Sequence, residues 1–587
     1  MKYKLCFHLH KKYPAVILSG LFLCSFYAGG QTNYYVSPSG NNSNPGNKEA
    51  PWLTIQSGLN KLKTGDTLNL MNGSFNEKIK FPVSGITLRN YSGCNPVIDA
   101  SGITSQVPVI NVTDVSAIYI QGIELKNNIM TDAQGILISG SCRDITISEC
   151  KIHDIHFSSN PNAAVKESTN AQGIIVYGTN AVSPVTNLKI INNQLYNCRL
   201  GYSEGIAVNG NVSGFEISGN TVYNLTNIGI DMIGFEGTCS NTSVDQARNG
   251  IVRNNLVHHC ISAYATSGGL YVDGGRNIII ENNTSYHNGY GIEIGCENTG
   301  KVTDLITVRN NIFYDNEVCA LALGGWNYPK SGKVTNSTFR NNTCFSNDYQ
   351  KTGNGEVYLS YSENCIIENN IFFTTSENNL VYAELSQPSL SFNYNLIYCS
   401  SGAENLSADW NNKSYNSYSA FVSGSGMNKN SLFANPAFLN ADISSPDFHT
   451  QNNSPAINAG NPGFTPAPDE VDMDGKNRKT GIIDCGAYEL NNISNFTAGN
   501  KTTPLLKIFP NPSSGKFSVV CTNSEIHNLV IYDETGKQMN FHQTANTLLN
   551  QINISDYQNG IYYLVAINKD FNPFAVEKII INKSLSN

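Results

Sequence analysis

The chain has 587 residues, 37 Lys and Arg against 45 Asp and Glu, a formal charge of -8, and only 14% charged residues. That length suggests several domains or one repetitive body, while the low charge leaves little material for amphipathic surface helices and the 40% hydrophobic content excludes wholesale disorder. Gly (50 residues) and Asn (about 80) are in excess, and both tolerate left-handed backbone, so tight turns are expected at recurring places.

The first 30 residues carry Lys2, Lys4, Lys11 and Lys12 but no acid, then an apolar run from Ala15 to Ala28, then Gly29 and Gly30. This three-part pattern predicts a signal peptide over 1–30, since the run is short for a membrane span. A lipid anchor on Cys24 is the rival reading, against which Leu23 stands where a lipidation signal wants a small residue. Loss of the leader takes the charge from -8 to -12, which argues against a nucleic-acid partner. Thirteen of the 15 cysteines remain, scattered and without a CxxC pair, so buried free thiols are expected rather than zinc or a disulfide framework.

From Tyr34 the chain reads as a first strand, then a short helix with Ile55, Leu59 and Leu62 on one face, then a long repeat. One recurring phrase is seen in LKIINNQLY (188–196), IIIENNTSY (278–286), ITVRNNIFY (306–314) and IIENNIFF (366–373). Its second Asn, or the equivalent residue, falls at Gly122, Cys150, Asn193, Asn220, Asn255, Asn283, Asn311, Asn342, Asn370 and Asn395, mostly about 28 residues apart. A second phrase precedes the marker, as in GIAVN from Gly205, GIDMI from Gly229, GLYVD from Gly269, GIEIG from Gly291 and ALALG from Ala320. Both alternate with period two, so each repeat holds two or three short strands and no helix. Such a unit is one coil of a parallel β-helix, stacked on the next at roughly 4.8 Å.

The marker Asn is expected at a corner in left-handed backbone, with its amide bonded up the column. Three residues later, Leu125, His153, Tyr196, Tyr223, His258, Tyr286, Tyr314, Phe345, Phe373 and Tyr398 form a column in which His153 and His258 read as stacked structural residues. His259 stays open as a functional candidate. Two long steps insert residues around 156–171 and 234–249, which predicts loops that wall a surface.

On the strands of the second phrase, alternation points Ile230, Met232, Leu270, Val272, Ile292 and Ile294 inward. Asp231, Tyr271 and Glu293 then form one outward column with Asp273 beside it. At strand spacing, Asp231 and Glu293 are about 10 Å apart and Asp273 and Glu293 about 8 Å. Glu236, Arg276, Glu297 and Trp326 lie just past the strands. The strip reads either as solvated edge charges or as a sugar site, and the Tyr, Trp and Arg beside the acids favour the site. Asp273 and Glu293 are the leading pair for glycoside hydrolysis, with Asp231 as alternate, and Tyr271, Arg276, Glu236, Glu297 and Trp326 as substrate-binding residues. Lysis of a uronide would instead need a base for the C5 proton and a cation, frequently calcium. No cofactor is required by the sequence.

Three resemblances add to this reading. The segment Tyr34 to Phe75 and the repeats, over about residues 33–400, resemble secreted right-handed β-helix proteins of the pectate-lyase-like superfamily, which implies an all-β right-handed parallel β-helix over 31–430 with an N-terminal capping helix. Measured against the lyases, GIDMI is similar to a calcium-binding DDGxDL motif with Asp231 at its last Asp, yet Asn227 and Ile228 stand where the paired acids belong. ALALGG is similar to the strand bearing the catalytic Lys, yet that position is Ala322, with only Arg276, Lys330 and Lys333 as substitutes.

Residues 431–490, with LFANPAF and DMDGKNRKTGIIDCGAYE, resemble a choice-of-anchor-type tail. There Asp469, Asp472, Asp474 and Asp484 could hold calcium, but the EF-hand pattern fails and a structural turn is the better reading. After a linker at 491–504, residues 505–587 contain KIFPNPSSGKFSV and ISDYQNGIYYLVA and resemble the type IX secretion C-terminal sorting domain of Bacteroidetes-type bacteria, a small β-sandwich. The resemblance implies export through the Sec and type IX machinery to the surface or medium. The function expected is a carbohydrate-active protein, a monomer acting on a polysaccharide, with a non-catalytic glycan-binding or adhesin-like protein as the alternative.

Overall fold

The computed structural model describes residues 32–490 apart from 326, 328, 384 and 480, and residues 506–583 apart from 522–527, 534–536, 545–548 and 568–572. The leader at 1–30, the linker at 491–504 and Trp326 therefore lie outside the described residues.

Each coil gives one strand to each of three long, almost wholly parallel sheets, of 15, 13 and 13 strands among the described residues, and the coils build a right-handed β-helix. The strand before each marker Asn belongs to the first sheet, as in Arg276–Glu281, and the strand after it to the third, as in Thr284–Tyr286. The second phrase makes the second sheet, which includes Glu204–Gly210, Ile228–Ile233, Gly268–Asp273, Tyr290–Gly295 and Cys319–Leu323. Inward residues stack in register, and Ile230, Leu270, Ile292 and Leu321 are each 0% exposed. Each such side chain contributes about 1.5–3 kcal/mol by leaving water.

The corner residues divide their work differently from the sequence expectation. Left-handed backbone falls one residue before the marker, at Asn192, Asn254, Asn282, Asn310, Asn341 and Asn369, with φ between 54° and 59°. The marker itself builds a ladder: Asn193 Nδ2 donates to Asn220 Oδ1 at 3.0 Å, and the same bond repeats through Asn255, Asn283, Asn311, Asn342 and Asn370 to Asn395. One column satisfies the strained turn, the other the buried polar groups.

The register also corrects the first marker. Glu149, at φ 55°, precedes the Cys150 marker, and the matching residue one coil earlier is Gly122, at φ 68°, so Gly122 holds the left-handed position. His153 pairs with Lys126, and Leu125 with Ile152, so Leu125 belongs to the core and not to the aromatic column. From His153 to Tyr314 the column is a run of stacked rings, with centroids 4.7–5.1 Å apart. His153 and His258 are members of it, as expected.

Both ends of the stack are closed. The helix Ile55–Leu59 buries Ile55 and Leu59, and its first amides donate to the Glu77 carboxylate at 2.7 and 2.9 Å. At the far end the helix Tyr418–Ser425, not anticipated from sequence, buries Phe421 against Trp410. Ser417 caps it, accepting the Ala420 amide at 3.2 Å, and Gly426 ends it at φ 76°.

Residues 434–490 fold back onto the third sheet. Phe438 and Phe448 pack on Phe345, and Phe448 on Tyr314, covering the C-terminal part of the aromatic column. Glu470, fully buried, lies between Arg309 and Arg340, two residues in register on neighbouring coils. In the acidic turn, Asp472 accepts amides of Asp474, Lys476 and Glu489, and Asp484 those of Asn458 and Leu490, as a structural turn requires.

The described part of 506–583 forms a three-stranded and a four-stranded antiparallel sheet around a shared core that includes Phe517, Ile531, Ile552 and Leu564, a small β-sandwich. Twelve cysteines among the described residues are free thiols, all buried except Cys94.

Candidate functional site

The second sheet places Asp231, Tyr271 and Glu293 in one outward column by direct strand register, as the alternation predicts. Ala322, Tyr358 and Tyr382 continue it on the C-terminal side. Asp273 stands in the adjacent outward column, paired with Gly295. The two aspartates form a floor, 2% exposed at Asp231 and 4% at Asp273. Glu293 is half-buried, and Glu236 and Glu297 stand exposed at the rim.

Hydrogen bonds fix the rim to the floor. The Tyr271 hydroxyl donates to Glu297 Oε1 at 3.0 Å, and the Glu297 amide donates to Asp273 Oδ1 at 2.8 Å. Glu236 comes from the second inserted loop, where Asp245 accepts the amides of Gly237 and Cys239 and Asn298 donates to the Glu236 carboxylate. Gly295 leaves the centre open, because a Cβ there would lie 3.1 Å from the Tyr271 hydroxyl and 3.6 Å from Glu293 Oε1. Asp231 Oδ1, although buried, has no hydrogen-bond partner among the described residues.

A sixth acid, Glu204, joins the cluster and was missed in the sequence. It pairs with Ile228 at the entrance to the second sheet, one residue before the GIAVN phrase, where the two preceding coils carry Gln134 and Gln172. An acid replacing a repeated Gln was the available signal.

Crowding and desolvation favour the protonated forms of Glu204, Asp231, Asp273 and Glu293. Burial, then Glu297, pushes Glu293 up to about 8, and burial, then Glu297 and Glu236, does the same for Glu204. Asp231 is raised well above the usual range by burial and by Glu204, and Asp273 by burial and by Glu297. Glu297 is raised by burial, but the Tyr271 hydroxyl acts in the opposite direction and favours its charged form. No cation is among the charges acting most strongly on Asp231, Asp273, Glu293 or Glu297.

Arg276 is not drawn into this cluster. It begins the next strand of the first sheet, around the corner made by Gly274 at φ 75°, and pairs with Asp304. Lys333 pairs with Glu363 and Lys330 lies on an exposed turn, so neither replaces a lysine at Ala322. The oxygen donors are of the kind calcium takes, but among the described residues no three acid, His or Cys side chains stand in a metal-binding arrangement.

Residues 34–198 match the Pel9A-like right-handed β-helix region, residues 172–353 the right-handed β-helix region, and residues 507–582 the secretion system C-terminal sorting domain. The molecule is a right-handed parallel β-helix protein of pectate-lyase-like fold, whose sorting domain directs export by type IX secretion to the cell surface or extracellular space. Over 454 residues it is 33% identical to the uncharacterized protein YwoF of Bacillus subtilis (strain 168), a match spanning 72% of this chain and 91% of YwoF. The chain belongs to the YwoF family.

Among solved structures it is similar in fold to pectate lyase Pel9A, at 17% identity and a TM-score of 0.42 over 79% of this chain and 97% of that one. It is also similar to an alginate lyase from Paenibacillus sp. str. FPU-7, at 20% identity and a TM-score of 0.37 over 52% and 95%.

Proposed function

We propose that this exported protein is carbohydrate-active and cleaves a polysaccharide by glycoside hydrolysis. The observation that carries the reading is the convergence of Glu204, Asp231, Asp273, Glu293, Glu297 and Glu236 on one strip, in which Glu293 is raised to about 8 while the Tyr271 hydroxyl bonds Glu297 and opposes the rise there. A hydrolase needs one carboxyl that keeps its proton and one that gives it up. Glu293, at about 8, suits the donor to the glycosidic oxygen. Glu297, at the rim and the one acid of the central four whose side chain accepts from the Tyr271 hydroxyl, which opposes its upward shift, suits the group that acts on water or on the anomeric carbon. The buried Asp273 then positions Glu297 through its amide, and Asp231 holds the column beneath Tyr271.

This assignment moves Asp273 and Asp231 from direct catalysis to support, because side chains 4% and 2% exposed meet substrate poorly. Lysis is the weaker reading, since Ala322 supplies no base and Arg276 and Lys333 are engaged elsewhere. A non-catalytic glycan binder is the second reading, favoured by the same closed floor.

Incubation of the exported protein with a panel of plant and algal polysaccharides separates the readings. New reducing ends without ultraviolet absorbance are expected; absorbance would mean elimination, and binding without product would mean a binder. Full activity in Glu293→Gln would remove the proposed proton donor.

A further inference from the structure

The column that carries Asp231, Tyr271 and Glu293 does not stop at the acids. After the buried Ala322 it continues into Tyr358 and Tyr382, half-buried and paired in direct register on successive coils. Their rings stack with centroids 6.0 Å apart and an interplanar angle of 27°. At strand spacing these rings lie about 10 and 14 Å from Glu293 along the helix axis. Tyr290, also half-buried, is close enough to both Glu293 and Tyr358 to be influenced by each, and adds a third phenol between the acids and the tyrosine pair. Tyrosine offers an apolar face to a sugar ring and a hydroxyl to its edge.

Charge decides which sugar. An anionic chain entering this strip would bring its carboxylates to a set of acids with no cation among the described residues to receive them, since Arg276 pairs with Asp304 and Lys333 with Glu363, and no cation is among the strongest charges on the central four acids. An uncharged chain meets only hydrogen-bond acceptors and donors.

We infer that the site takes an uncharged glycan, laid lengthwise along the second sheet, whose units beyond the scissile position stack on Tyr358 and Tyr382. The choice of an uncharged ligand rests on the acidic site being the binding site proposed above. Tyr358 and Tyr382 set how long a chain must be to bind well, without touching the reacting bond.

The test is migration of the full exported protein in native gels containing xylan, mixed-linkage β-glucan or galactomannan, against polygalacturonate and alginate, each without and with calcium. Retardation by at least one uncharged glycan in the absence of calcium is expected, weakened roughly threefold to tenfold in Tyr358→Ala or Tyr382→Ala and retained in the two Tyr→Phe variants. Retardation by uronides only, retardation by nothing, or alanine variants that migrate as wild type with an unchanged melting temperature would each overturn the inference. If an alanine variant fails to fold, tyrosine difference absorbance decides: on titration with xylo- or gluco-oligosaccharides, wild type must show a perturbation that the Tyr358→Phe/Tyr382→Phe double variant alters, and identical spectra overturn the platform. Glu293→Gln separates this inference from the hydrolytic one. Platform-dependent retardation with no product from wild type removes hydrolysis and leaves the platform, whereas product formation indifferent to both tyrosines removes the platform and leaves hydrolysis.

Discussion

The hydroxyl of Tyr271 and the carboxylate of Glu297 are joined by a 3.0 Å hydrogen bond across the centre of the acidic strip. That bond favours the charged form of Glu297, while burial and Glu297 itself keep Glu293 protonated up to about 8. A bell-shaped rate profile is expected, with an alkaline limb near pH 8 from loss of the Glu293 proton. Tyr271→Phe should move the acid limb to higher pH and leave the alkaline limb in place. Glu293→Gln should lower turnover roughly 10²- to 10⁴-fold, as measured by release of reducing ends.

The same raised values make a stability prediction. Glu293 and Glu204 hold protons in the folded state up to about 8 but lose them near the ordinary carboxylate value when unfolded. Between about pH 4.5 and 8 the folded state therefore binds more protons, so stability falls as pH rises through that window. Melting temperatures should decline from pH 5 to pH 8 in wild type and decline less in Glu293→Gln and Glu204→Gln.

An opposite trend belongs to the aromatic column. Burial, then His259 and His287, lowers His258 to about 4. A folded value below the unfolded one gives stability that is complete above about pH 6.5 and lost as pH falls toward 4. His258→Tyr, which copies the residue used at Tyr223 and Tyr286, should keep the stack and flatten the acid side of the melting curve.

How much of this was legible follows from what repeats. The alternation in GIDMI, GLYVD and GIEIG fixed the register of Asp231, Tyr271 and Glu293, because one face of every strand must be apolar. Arg276 was misplaced because its distance in sequence from Asp273 says nothing of the corner at Gly274 that turns it onto another sheet. Glu204 and the exchange of roles between the two corner asparagines escaped because each differs by a single position from a phrase that reads well without it.

The ladder asparagines are expected to be costly to remove. Asn283 donates to Val252 O and Asn311 Oδ1, and accepts from the Asn255 amide and side chain, all in the core. Asn283→Ala leaves several buried groups unpaired and should cost about 3 kcal/mol in denaturant unfolding. The exposed Asn249→Ala should cost far less.

Glu470 is the corresponding test for the tail. Burial works against its carboxylate, but Arg340 and Arg309 outweigh it and hold it below the usual range. Glu470→Ala leaves the buried Arg340 guanidinium without its carboxylate, while Arg309 keeps Glu281, and should cost about 3 kcal/mol, measured as the shift in the unfolding midpoint.

That carboxylate also acts as a gauge. Arg309 and Arg340 come within reach of one Glu470 only when their two strands are stacked in the correct register, and Asn282, Asn310 and Asn341 offer amides to the tail at three consecutive heights. A solenoid repeats too regularly to notice that a coil has slipped. The returning tail is keyed to particular rungs, so it can close only over a stack counted correctly, and it gives a one-dimensional fold a way to verify its own assembly.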